Sequence, residues 1–233
     1  QVYFMDDGAF YRATGNIERI PCTVLDHVFS DINKSQRFKI FAGHNQAHNE
    51  VIWFYPSASS NEIDRYVTYN YAEKVWSIGT TTDNFTRTAW NQAPLLDFPL
   101  ATGKLDNTNN NYIYNHETGN TADGTAFNAY IESADIDLDP DGESFMFVNK
   151  VIPDIEFLNS SNSNDTINLT LKGRRYPAEN RSTLSTIALT PSTQFTSTRG
   201  RTRQVSVRIE NNGGDFGWRL GDSRFDIKTD GRK

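Results

Sequence analysis

The chain has 233 residues, a net charge of −6 and 12% aromatic residues, enough to fill the core of one large or two small domains and too many for a disordered tail. A single cysteine, Cys22, excludes an internal disulfide framework, and no stretch reads as a signal peptide or a membrane span. Charge is uneven: residues 1–171 hold 10 Lys and Arg against 23 Asp and Glu, a balance of −13, and residues 172–233 hold 13 against 6, a balance of +7. A split of this kind points to two domains, or to one domain with faces of opposite sign, and it can steer subunit docking.

In chain order, Val2 to Phe4 and Ala9 to Arg12 flank Asp7-Gly8, a hairpin signal, and Ile17 to Ile20 reads as a third short strand. Thr23 to Ile32 is the one good helix: Val24, Leu25, Val28, Phe29 and Ile32 share a face, and Thr23 with Asp26 has capping-box spacing. After Phe38 to Phe41, Ala42 to His48 reads as a Gly/Asn-rich loop. Within it His44 and His48 stand four apart, a zinc spacing only on a helix with a third ligand, so the pair is taken as metal-free. His27 and His116 receive the same plain reading.

Asn49 to Gly79 predicts three antiparallel strands. Val51, Trp53 and Tyr55 alternate with Ile52 and Phe54, apolar on both faces, as in a strand covered from both sides. Val67, Tyr69 and Tyr71 share a face of the second strand, and Ala72-Glu73-Lys74 turns the chain into Val75 to Ile78. Trp53, Tyr69 and Trp76 are assigned to the core, with both Trp side chains expected to be buried. A short meander ending in Trp builds one β-propeller blade and also occurs in sandwiches. Residues 83–101, with Trp90, Pro94 and Pro99, read as an irregular connector. Asn111 to His116 echoes Val67 to Tyr71 at a distance of 45 residues, the length of a blade, although a Tyr/Asn-rich chain produces such echoes by chance. Gln1 is no initiator Met and leads straight into a strand, which suggests a piece of a longer protein with too few blades to close a ring.

From Phe127 the pattern changes. Phe127 to Glu132, Phe145 to Phe157, Ile167 to Leu171, Val205 to Ile209 and Phe225 to Ile227 form strand-like runs joined by Asn/Ser/Gly loops, including Asn159 to Asn164, as a β-sandwich needs. The expected organisation is mainly β: an incomplete propeller-like meander region over residues 1–125 with one short helix, then an antiparallel β-sandwich over residues 126–233. Asp137, Asp139 and Asp141, after Asp135 and before Gly142, resemble the start of a calcium loop. The twelfth position from Asp137 is Val148 where such a loop needs Glu, so the turn is taken as solvated and metal-free. Arg199, Arg201 and Arg203 form the densest basic cluster and suit nucleic-acid phosphate, a solvated face or an acidic neighbouring subunit. Sequons at Asn84 and Asn168 are read as chance. No GxSxG, Walker loop, HExxH, paired Cys/His spacing, cofactor motif or sialidase box is present, so no turnover is expected.

Two blocks carry a family resemblance: NEVIWFYPS, DRYVTYNY, KVWSIGT and RTAW between Asn49 and Trp90, and RQVSVRIENNGGDFGWRLGDSRFDIKTDGRK from Arg203 to Lys233. Together they resemble virion structural proteins of short-tailed bacteriophages, of the tail nozzle or tail tubular protein B type. The resemblance implies a non-enzymatic structural part of a phage tail, a ring of six copies around the DNA exit channel. Its partners would be other tail or adaptor proteins, genomic DNA would pass without sequence-specific binding, and assembly would occur in the host cytoplasm before residence in the virion. Arg199, Arg201 and Arg203 become interface candidates, and Trp218 joins the core. The alternative is a carbohydrate-binding or host-attachment module, in which exposed Tyr and Trp would stack on sugar rings.

Overall fold

The computed structural model describes residues 1–81, 86–93, 95–104, 111–126, 128–160 and 165–231. Asn84, Pro94, Phe127 and Ser161 to Asn164 of the Asn159 to Asn164 loop lie outside the described residues. The protein is mainly β, 52% strand and 6% helix, with several antiparallel sheets and, among the described residues, no closed barrel. The chain divides into two compact units, Gln1–Thr118 and Gly119–Lys233.

The first unit builds three meanders in succession. Strands β1 (Val2–Asp6), β2 (Ala9–Ala13) and β3 (Ile17–Ile20) pair in order, and Gly8 closes the first hairpin at φ +92°, a value that suits glycine. Helix α1 (Leu25–Asp31) follows, then a 3-10 helix over Lys34–Lys39. The capping box is not formed: Val24 occupies the N-cap position and no side chain caps the helix. The apolar face is as expected, since Val28 is fully buried and Val24, Leu25, Phe29 and Ile32 pack around it. Next come β4 (Phe41–Asn45), β5 (Glu50–Tyr55), β6 (Arg65–Asn70) and β7 (Val75–Thr80), a four-stranded sheet in chain order. Asn70 shapes the β6–β7 turn by accepting hydrogen bonds from the backbone N–H groups of Ala72 and Glu73, and Lys74 takes a left-handed φ of +60°. Finally β8 (Ala89–Asn91), β9 (Leu100–Lys104) and β10 (Asn111–Asn115) form a third meander, so the expected connector contains strands.

The central sheet is covered on both faces. Val51, Trp53, Tyr55, Val67 and Tyr69 face Phe10, Ile20 and Val28, while Ile52 and Phe54 pack with Ile63, Phe41, Tyr66 and Trp90 on the opposite side. This is why β5 is apolar at consecutive positions. Trp53 is 2% exposed, whereas Trp76, on edge strand β7, is only partly buried. Tyr69 and Tyr114 do not hold equivalent places: β6 is an inner strand of four, and β10 is an edge strand of three.

The second unit opens with the hairpin β11 (Thr121–Ala122) and β12 (Thr125–Ala126), then β13 (Tyr130–Glu132) and β14 (Ile136–Asp137). The long apolar run splits at Pro153-Asp154 into β15 (Met146–Ile152) and β16 (Ile155–Leu158), which join different sheets. The remaining strands are β17 (Ile167–Arg174), β18 (Ser182–Leu189), β19 (Thr196–Thr202), β20 (Gln204–Asn211), β21 (Gly217–Leu220) and β22 (Arg224–Thr229). One sheet has the order β13-β20-β17-β18, with β14 also on β20; another is β19-β15-β22; β16 pairs with β21. Ile167, Leu169, Leu171, Val205 and Ile209 from the first sheet meet Met146, Val148 and Val151 from the second, with Trp218 packed at the margin. That is a sandwich core of alternating inward residues.

Candidate functional site

The described residues bring the sequence-predicted groups of the second unit to one end of the sandwich. Strand β19 is an edge strand, and its inward residues Thr198, Gly200 and Thr202 are buried while Arg199 and Arg201 point outward. Arg203 is the single residue between β19 and β20, at the corner where the chain passes from one sheet to the other.

The three arginines do different things. Arg201 forms an ion pair with the Asp230 carboxylate, donates to the Asp230 carbonyl at 3.0 Å, and lies over the Phe145 ring at 4.1 Å. Arg203 stands over both Phe145 (4.9 Å) and Tyr176 (5.2 Å), and its buried Nε has no hydrogen-bond partner among the described residues. Arg199 is exposed and has no ion-pair partner among the described residues. A cation on an outward edge position also blunts unwanted strand pairing.

The acidic turn does not gather into a metal cage. Asp135 pairs with Arg174 at 2.5 Å and Arg181 at 2.8 Å. Asp137 accepts from the Gln204 amide at 3.1 Å. The Ser144 hydroxyl and the backbone N–H groups of Gly142, Glu143 and Ser144 hold the Asp139 carboxyl below its usual range. Among the described residues no three His, Cys, Asp or Glu side chains are grouped to hold a metal ion. Asp137, Asp141, Arg175 and Arg203 instead border a groove of about 320 Å³.

Beside the groove runs a charge network the sequence did not reveal. Glu132 accepts from Lys172 at 2.8 Å, Arg181 at 3.1 Å and Arg208 at 3.1 Å. These bonds, with Lys172 first and Arg208 after it, hold the Glu132 carboxyl below its ordinary value. The acidic segment and the basic one that follows it therefore lie across one sheet. Counted by unit, the balance is 9 basic against 13 acidic residues in Gln1–Thr118 and 14 against 16 in Gly119–Lys233, so both units are acidic and the sequence split does not separate them. Glu132→Gln should cost about 1 kcal/mol at neutral pH, since the network is partly solvated. Because the folded carboxyl is depressed, that stability is present above the ordinary value of 4.5 and lost as pH falls through the folded one. Urea titrations of the two proteins should therefore converge in acid, and a gap that persists there would show that packing, not charge, is lost.

In the first unit His44 lies on β4 rather than in a loop. Its Nε2 meets the Tyr71 hydroxyl at 3.2 Å, whereas His48 pairs with Glu117 at 3.0 Å, so the two rings serve different neighbours. His27 is on the exposed side of α1. His116 accepts from the Nε of Arg87 at 2.9 Å, and its ring packs tilted against Trp90 at 4.7 Å between centroids. No helix among the described residues is long and apolar enough to cross a membrane. Compared with protein-family models and with curated proteins, the sequence matches none.

Proposed function

We propose that the chain is a non-enzymatic structural component of a bacteriophage tail, nozzle-like, and forms part of a ring around the DNA exit channel. The reading starts from the two motif blocks between Asn49 and Trp90 and between Arg203 and Lys233. The observation that carries it is the use of the aromatic side chains in the first block. Trp53 and Tyr69 are buried, the Trp76 indole N–H donates to the Pro21 carbonyl at 2.9 Å, and that of Trp90 donates to the His44 carbonyl at 3.0 Å. Side chains committed to sheet packing and backbone hydrogen bonds serve a scaffold; they are not presented for stacking on sugar rings.

A ring needs a head-to-tail contact. Arg201 and Arg203 are engaged within the chain, which leaves Arg199 as the clean probe of the basic edge. Light scattering and micrographs of the protein with its tail partners should give six-copy rings, and Arg199→Glu should slow assembly several-fold with a weaker salt dependence. A protein that stays monomeric with those partners, yet binds a host polysaccharide through exposed Tyr side chains, would remove the structural reading in favour of an attachment module.

A further inference from the structure

The groove bordered by Asp137, Asp141, Arg175 and Arg203 carries four charges that form no ion pair among the described residues, beside a network in which Glu132, Asp135, Lys172, Arg174, Arg181 and Arg208 all pair. Arg174, adjacent to Arg175, reaches Asp135, and Arg181 bridges Asp135 and Glu132. The groove charges have charged neighbours of opposite sign within one lining and still do not close on them. Gln204 accounts for part of this, since it accepts from the Arg174 Nε at 2.7 Å and donates to Asp137, holding that carboxylate in place. Arg203 is held in place by the Phe145 and Tyr176 rings.

We infer that this groove binds a small zwitterion, a ligand bearing a carboxylate and an ammonium group, of the amino-acid class. Arg203 and Arg175 take the carboxylate, and Asp141 with Asp137 takes the ammonium. A lone anion would bring its charge against two carboxylates, and a lone cation would meet two guanidinium groups. A ligand with both charges leaves the groove neutral and gives each unpaired group a partner. Two guanidinium groups suit a carboxylate because their N–H donors match its two oxygens. The stacking that holds Arg203 reduces the side-chain freedom lost on binding. The groove volume of about 320 Å³ is at the small end of the range for ligand sites.

The test is a two-dimensional NMR titration of the chain with glycine, β-alanine and γ-aminobutyrate, with acetate and methylammonium as half-ligands at matched ionic strength. One of the zwitterions should saturate with shifts confined to the backbone around residues 137–142, 175–177 and 203–204. It should bind roughly five-fold more tightly than either half-ligand, as expected for one further partly exposed ion pair. Arg203→Gln should abolish the preference over methylammonium, and Asp141→Asn the preference over acetate. Arg203 lies at a sheet corner, so the exposed Asp141 variant keeps the test valid should Arg203→Gln fail to fold. Acetate binding as tightly as every zwitterion, or no saturable shift at the groove, would overturn the inference.

Discussion

Trp53→Ala is expected to lower stability by about 3–5 kcal/mol, the cost of emptying a large aromatic site in a packed interior. Trp53 is 2% exposed and lies between Phe10 at 4.9 Å and Trp76 at 6.0 Å, where strand β5 has neighbours on both faces and little freedom to collapse. Its indole N–H is buried without a hydrogen-bond partner among the described residues, so Trp53→Phe removes an unsatisfied donor along with part of the volume. That variant should lose only roughly 1–2 kcal/mol. Trp76 sits at an edge and keeps a hydrogen bond to Pro21, so Trp76→Ala should cost less than Trp53→Ala, about 2 kcal/mol. Urea unfolding followed by circular dichroism separates the three. A Trp53→Ala loss under about 1 kcal/mol would mean that the two faces of β5 are not packed as described.

The residues that gave this core away were those whose periodicity reports burial. β5, β6, β17 and β20 alternate large apolar side chains or carry them on both faces, and each was legible in the sequence. β19 was not, because its buried face is Thr198, Gly200 and Thr202 rather than an apolar stripe. Those hydroxyls are satisfied locally: Thr198 donates to the Val148 carbonyl at 2.8 Å and Thr202 to the Arg174 carbonyl at 2.8 Å. A polar inward face then costs little, and no hydrophobic pattern marks it. β4 was hidden for a related reason. Gly43 is strand, not loop, and a Cβ there would stand 2.5 Å from the Trp90 ring, so the glycine makes room for a neighbour that sequence spacing cannot supply.

The groove and the charge network were illegible for a different cause. Glu132 and Arg208 meet because β13 lies against β20 in a particular register, and Arg208 is paired with Thr170 on β17 across the other side. No local signal in the sequence sets that register. The Arg199 to Arg203 cluster was visible as composition, but its division into one free, one paired and one stacked side chain depends on Asp230, Phe145 and Tyr176, which are distant along the chain. The charge split misled for the same reason: opposite charges far apart in sequence can neutralise each other within one sheet.

The first unit should lose stability on mild acidification because of His116, by on the order of 2 kcal/mol once partial solvation of the ring is allowed for. Burial first, and the Arg87 guanidinium second, push the His116 imidazole down from 6.5 to about 4. The geometry agrees with the direction. Arg87 is 9% exposed and its Nε–H donates to Nε2 of His116, so that nitrogen must carry a lone pair, and protonation would set two donors and two positive charges against each other. The unfolded chain takes up the proton near pH 6.5, while the folded one resists until about 4, so stability falls as pH drops through that window and the loss is complete below it. His116→Gln keeps an acceptor for Arg87 and removes the titration. Thermal or urea melts of the variant should therefore slope less than the parent's from pH 6.5 down to 4.5, above the range in which carboxylates such as Glu132 lose their contribution. A variant that keeps the full slope would assign the acid sensitivity to other groups and would show that the His116 ring is freely protonated in the folded protein.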